Sequence, residues 1–269
     1  MAFNSKVKAF HDKEFLDSDV CRGIRLELEF LKPEVQMWKK RIESTVVIFG
    51  SARLRPADQA VRQLEAARAA LKAEPSSAAK QLAVRQAERL LANSRYYDVA
   101  RDFARKVTTF DKNQNDGHQF VVITGGGPGI MEAGNRGAAD MGGISVGLNI
   151  SLPHEQEPNP YITSDLSFPF HYFCIRKMHF LKLAKAVAAF PGGFGTMDEL
   201  FEALTLIQTG IIKPIPVLLF GRDFWTQLIN WDKFVEEGVI SPEDLDLFHY
   251  CETAEEGWQI IKDFYKLRE

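Results

Sequence analysis

An apolar run that stops at a glycine recurs three times in this chain, and that recurrence limits its fold more than any other feature. Thr45–Phe49 ends at Gly50-Ser51, Phe120–Thr124 at Gly125–Gly129, and Ala184–Phe190 at Pro191-Gly192-Gly193-Phe194-Gly195. Runs that are apolar at every position fit strands buried on both faces, as in a parallel sheet covered by helices. Ile144–Ile150, Ile215–Phe220 and the short Leu247–Cys251 read as further strands, with Leu166–Phe173 as an edge strand. Helical periods fall between them, at Asp58–Glu74, Ala78–Asn93, Tyr96–Val107, Ile130–Met141, Ile175–Ala184, Met197–Gln208, Phe224–Glu237 and Ala254–Leu267. Lys112–Gly117 reads as a polar loop, and a second loop carries Pro153, Pro158 and Pro160. The alternation predicts an α/β fold, a doubly wound Rossmann-like parallel sheet with helices on both faces. Ligands of such sheets bind beyond the C-terminal strand ends, where all three glycine turns lie.

Two segments stand outside this alternation. Residues 1–42 predict an N-terminal helical extension, with Ile24, Leu28 and Leu31 on one face and a second short helix after Pro33. That arm is expected to pack on the main domain or on a partner subunit. Residues 43–269 form the second predicted unit, with a helical insertion at 57–92 that breaks at Pro75-Ser76-Ser77. The insertion leaves the first strand at its ligand-binding end. It reads as a helical hairpin acting as a lid or subunit contact, or simply decorating the surface.

Bulk properties exclude several classes. A net charge of −3 argues against a nucleic-acid or anionic-membrane surface. The three cysteines, Cys21, Cys174 and Cys251, are too far apart for a CxxC zinc or redox site. The first residues carry no apolar signal-peptide core, and no apolar run reaches transmembrane length, so a cytoplasmic location is expected.

The glycine turns suggest anion binding. Gly125–Gly129 does not continue as G-x-G-x-x-G, because Ile130 occupies the last position, and the next strand carries Gly147-Leu148-Asn149 where a ribose-binding acid would stand. No Walker A sequence is present. The turn fits either phosphate or ribose binding or tight strand–helix packing. Pro191–Glu199 adds a hydroxyl and an acid between strand and helix. Backbone N–H groups from Gly193 to Thr196 are suited to a phosphate. Glu199 fits a general base, a charge stabiliser or a nucleophile. It also fits a capping-box acid, which is the reading that chemistry alone favours, since Thr196-Met197-Asp198-Glu199 is a T-x-x-E sequence. Arg176-Lys177, on the preceding helix, are either anion ligands or solvated cations. His171 and His179 lack the spacing of a metal pair.

GGGPGIMEAGNRGA at Gly125–Ala138 and PGGFGTMDE at Pro191–Glu199 closely resemble the Lonely Guy family, long labelled lysine decarboxylase-like. The resemblance runs from Thr45 to about Lys266, apart from residues 57–92. It implies a phosphoribohydrolase that cleaves the N-glycosidic bond of AMP or of cytokinin riboside monophosphates, giving free base and ribose 5-phosphate. It makes 43–269 a nucleotide-binding catalytic domain with Arg176 and Glu199 as the catalytic pair. The phosphate and ribose then fall to Ser51, Gly126, Gly127, Gly129, Lys177, Gly192, Gly193, Gly195 and Thr196. It implies an AMP-like nucleotide as the small-molecule partner, no metal or other cofactor, and a homodimer or higher oligomer. Cys174-Ile175 precede Arg176, and Met178-His179 follow Lys177, in place of the short members' M-H-x-R-K; Gly129–Glu132 replaces their G-L-M-G. Both departures resemble a longer bacterial branch. The alternative is a non-catalytic nucleotide-binding or molybdenum-cofactor carrier of the same fold. True lysine decarboxylation calls for a pyridoxal phosphate lysine, and Lys177, Lys182 and Lys185 have no fitting context.

Overall fold

The structure, a computed structural model, describes residues 5–113, 117–151 and 157–267. Pro153 of the predicted proline loop, and part of the Lys112–Gly117 loop, lie outside the described residues. The chain opens with α1 (Lys13–Asp17) and the long α2 (Arg22–Lys39), then enters β1 (Thr45–Phe49). Two helices, α3 (Ala57–Ala73) and α4 (Ala78–Ala92), pack as a hairpin, and α5 (Arg95–Lys112) returns the chain to the sheet. β2 (Val121–Thr124), α6 (Ile130–Asp140), β3 (Ser145–Ile150) and β4 (Ser167–Phe170) extend it on one side of β1. After α7 (Phe173–Lys182) the chain recrosses to β5 (Ala184–Ala189) on β1's other side. α8 (Phe194–Gln208), β6 (Val217–Phe220), α9 (Arg222–Leu228), α10 (Trp231–Glu236), β7 (His249–Cys251) and α11 (Ala254–Tyr265) complete it.

All seven strands are parallel, in the order β4-β3-β2-β1-β5-β6-β7. The strand order reverses between β1 and β5, which is where such a sheet opens a crevice. Alternate residues feed two cores. Val46, Ile48, Val122, Ala186, Ala188 and Leu218 pack with Phe103 and Val107 of α5, Ala133 of α6 and Trp258 of α11. Val47, Phe49, Ile123, Val146, Leu148 and Val187 face the opposite way, toward Met37 of α2, Phe180 of α7 and Ala203 of α8. Burial on both faces explains why these strands read as unbroken apolar runs. No helix among the described residues is long and apolar enough to cross a membrane.

Several predicted helix bounds differ from the structure: α5 runs on to Lys112, α7 starts at Phe173 and α8 at Phe194, and two further differences have a clear cause. Pro33 does not divide the arm: α2 runs through it as one helix. Pro33 is itself buried, so packing offsets the lost backbone hydrogen bond. Phe224–Glu237 is two helices, because Ile229 is extended and the Asn230 side chain accepts the Lys233 N–H at 3.1 Å to start α10.

The glycine turns hold strand ends together at close range. Gly129 has φ +74°, and a Cβ there would lie 2.3 Å from the Ser51 carbonyl oxygen. Gly210 has a similar φ of +71° with open space around it. Gly210→Ala is therefore expected to cost only the left-handed strain, about 1 kcal/mol. Gly129→Ala adds a backbone clash and is expected to cost about 2 kcal/mol or more. Urea unfolding of the two variants measures the difference; equal losses would refute the close-approach argument.

Candidate functional site

The end of β1, the end of β5, the first turns of α8 and the α7 helix enclose a cavity of about 810 Å³ at the β1/β5 crevice. A volume of that size suits a nucleotide-sized ligand. Of the residues singled out in the sequence, Ser51, Arg176, Gly192, Gly193, Gly195, Thr196 and Glu199 line it. Gly126, Gly127, Gly129 and Lys177 do not line it.

Helix α8 starts earlier than the T-x-x-E reading requires. Gly193 is its N-cap, with no side-chain capping bond, and Phe194 is its first residue. The Thr196 and Met197 N–H groups turn back to the Gly193 carbonyl at 3.0 and 3.1 Å. Thr196 is therefore not the cap, and its N–H is already engaged. Its side chain lies against Gly192, where a Cβ would come within 2.1 Å of Thr196 Oγ1. Glu199 falls in the second turn, beyond the reach of a capping box.

Glu199 is 5% exposed, and its Oε2 is buried with no hydrogen-bond partner. Burial pushes its pKa up to about 7, against the opposing pull of Arg176 and Lys177. Arg176 reaches the cavity from α7. Its Nε donates to the Leu148 carbonyl of β3 at 2.8 Å, and its guanidinium carbon sits 5.0 Å from the Phe180 ring centroid. Burial lowers its pKa, with Glu199 and Asp198 acting in the opposite direction. An arginine starts high enough to keep its charge. Gly125 makes room for this side chain: a Cβ there would lie 2.7 Å from Arg176 Nη2. The cavity thus pairs a held cation with a carboxylate in a water-poor wall.

The other turn serves as a brace. The Gly126 N–H donates to Thr124 Oγ1 at 2.9 Å, and the Asn159 amide donates to the Gly126 and Gly127 carbonyls, each at 3.1 Å. Asn159 also reaches Asn135 Oδ1 at 2.9 Å, and Asn135 accepts from Thr124 Oγ1 at 2.7 Å. Gly129 closes on Ser51, whose carbonyl accepts the Ile130 N–H at 3.1 Å. Gly126, Gly127 and Gly129 are thus tightly packed outside the cavity lining, while Gly125 of the same turn lines the cavity. Lys177 turns away from the cavity and pairs with Asp198 at 2.9 Å and Glu202 at 3.2 Å.

Several lining residues carry little signal in the sequence. Arg53, two residues beyond Ser51, brings a second guanidinium to the rim. It was discoverable as a cation just after a strand-end glycine. Met131, Phe173, Met197, Phe201, Leu228 and Ile229 supply an apolar wall. Leu228 and Ile229 come from the end of α9 and look like ordinary helix residues. Glu132, part of the departure from G-L-M-G, accepts the Tyr97 hydroxyl of α5 at 2.7 Å and is not among the cavity residues. His179 is buried beside Phe30, Phe170 and Glu34. Among the described residues no group of three or more His, Cys, Asp or Glu could hold a metal ion.

Comparison with known proteins agrees with the motifs. Residues 131–261 match the family model described as "possible lysine decarboxylase". A cytokinin riboside 5′-monophosphate phosphoribohydrolase of Arabidopsis thaliana is 29% identical over 174 residues, 64% of this chain and 76% of that protein. A second Arabidopsis protein of the same description is 36% identical over 90 residues, 33% of this chain and 42% of its own length. The X-ray structure of TM1055 aligns with a TM-score of 0.50 at 21% identity, covering 82% of this chain and 99% of that one, and shares the fold. In its two glycine motifs, its family-model match and these comparisons, the chain is similar to the Lonely Guy proteins.

Proposed function

We propose that the protein is a nucleoside 5′-monophosphate phosphoribohydrolase, acting on AMP or on cytokinin riboside monophosphates. The observation that carries this reading is the buried, unpartnered Glu199 oxygen in a cavity that also holds Arg176. Burying a carboxylate without a partner is costly, and such groups concentrate where a reaction uses them.

The proposed chemistry follows from what the cavity offers. The substrate's 5′-phosphate meets the N-terminal end of α8, beside Gly193 and Gly195, where the helix dipole favours an anion. Arg176 holds phosphate or ribose oxygens. As the C1′–N bond breaks, the base departs with the bonding electrons and the ribose ring becomes cationic, as in glycoside hydrolysis. The Glu199 carboxylate stabilises that charge and takes a proton from the water that attacks C1′. The leaving base takes up a proton, which yields free base and ribose 5-phosphate. Met131, Phe173 and Met197 offer the base an apolar wall.

A panel of nucleoside monophosphates, scored by liberated base, tests this directly. AMP is expected to give adenine and ribose 5-phosphate. Glu199→Gln and Arg176→Ala are each expected to lower kcat by about 10²–10⁴-fold. A parent protein silent on the whole panel would instead favour a non-catalytic carrier.

Two pH dependences follow from the raised Glu199 pKa. The ionised form is the working one, so kcat/KM is expected to fall as pH drops through about 7 and to level off above it. A flat profile from pH 5 to pH 8 would count against the assigned role. Stability runs the other way. A group whose pKa is raised on folding contributes in full below its unfolded value and loses that contribution as pH rises through the folded one. Glu199→Gln is thus expected to match the parent near pH 5 and exceed it at pH 8, by on the order of 3 kcal/mol. Denaturant unfolding at the two pH values reads the difference; parallel behaviour of the two proteins would contradict the buried-charge argument.

A further inference from the structure

Helix α2 has two apolar faces, and the fold covers one. On the inner side Pro33 and Met37 are buried, and Glu29 accepts the His171 and Tyr172 N–H groups ahead of α7 at 2.8 and 3.1 Å. Glu34 pairs with Lys182 and with His179 of α7. On the outer side Ile24, Leu28, Leu31, Val35 and Trp38 stand in solvent, from 43% exposed at Leu31 to 77% at Trp38. Their spacing is four, three, four and three residues, the repeat of a helix–helix seam. The stripe spans about 21 Å at 1.5 Å per residue. Pro33 lies on the buried side and leaves it uninterrupted.

We propose that this stripe is the seam of a parallel two-helix contact with α2 of a second copy of the chain. The charges beside the stripe select that occupant and that direction. With Leu28 and Val35 at a and Ile24, Leu31 and Trp38 at d, the g positions are Glu27 and Glu34 and the e positions are Arg25, Lys32 and Lys39. One flank is acidic and the other basic. In a parallel pair g faces the e of the next heptad, so Glu27 meets the second copy's Lys32 and Lys32 meets its Glu27. An antiparallel pair would set Glu against Glu and Lys against Lys. Glu27 and Lys32 are both exposed and available. The same patch serves both copies, as a two-fold interface requires. Two heptads are short for an isolated coil. Here α2 is already held on α7, so little ordering entropy opposes the contact.

The test uses the full chain. Sedimentation velocity of the parent at tens of micromolar is expected to show a dimer or a multiple of it. The Leu28→Glu/Leu31→Glu double variant, altered only at exposed positions, is expected to have at most half that mass with an unchanged far-UV spectrum. Glu27→Lys is expected to weaken assembly, and adding Lys32→Glu to restore it. Leu31→Cys, made with Cys174→Ser to remove the exposed native thiol, is expected to form an interchain disulfide on mild oxidation. A monomeric parent, an unchanged mass for Leu28→Glu/Leu31→Glu, or failure of Lys32→Glu to restore Glu27→Lys would each overturn the proposal.

Discussion

Three turns from three strands meet on the backbone of Ser51, and the geometry of the crevice depends on that junction. Its N–H donates to the Pro191 carbonyl at the end of β5, at 3.0 Å. Its carbonyl accepts from Ile130 at the start of α6, at 3.1 Å. The space is so tight that Gly50 would place a Cβ 2.6 Å from the Ile130 side chain. One residue therefore fixes the spacing between the β2 turn and the β5 turn. The glycines around it are present because neighbouring backbone and side chains already occupy the place of a side chain. The cavity lies beside this junction, with Gly50 and Ser51 in its lining.

The sheet was legible in the sequence because burial on both faces leaves continuous apolar runs, most of which end within a residue of a strand end; the edge run Leu166–Phe173 instead overran β4 and reached the first residue of α7. The catalytic candidates were only half legible. Thr196 and Glu199 satisfy a capping pattern as well as an active-site pattern, and the difference lies in where α8 begins. A start at Phe194 moves Glu199 from a solvated first turn to a buried second one. Lys177 stands outside the cavity lining because adjacent helical residues point about 100° apart. Arg176 enters the cavity while its neighbour meets Asp198 and Glu202. The bracing of Gly126 and Gly127 was beyond reach, since the Asn159 that holds them is about thirty residues away in the chain. The arm misled in the other direction: Pro33 suggested a break, and tertiary packing of the proline overrode it.

Electrostatics and packing pull against each other around Glu199. Desolvation favours its neutral form, while Arg176 and Lys177 favour the carboxylate. Desolvation is the larger effect and carries the group up to about 7, near neutral pH, where a carboxyl group can exchange a proton readily. A closer cation would leave the group permanently ionised and weakly basic. A drier wall without Arg176 would leave it protonated. The Arg176 Nε bond to Leu148 contributes to this balance by anchoring the side chain to the sheet as well as to its own helix.

The bracing of Gly126 and Gly127 also bears on how such a site can change over evolutionary time. Asn135, Asn159 and Thr124 form a closed polar network beneath that turn, so a substitution there disturbs several buried bonds at once. The opposite side of the cavity is made differently. Leu228 is exposed and Ile229 lies beyond the end of α9, with neither contributing to a strand. Substitutions there can alter the shape of the cavity while leaving the sheet intact. Change in the shape of the cavity among descendants of this chain is therefore expected to accumulate at the α9 end, against a floor that stays constant.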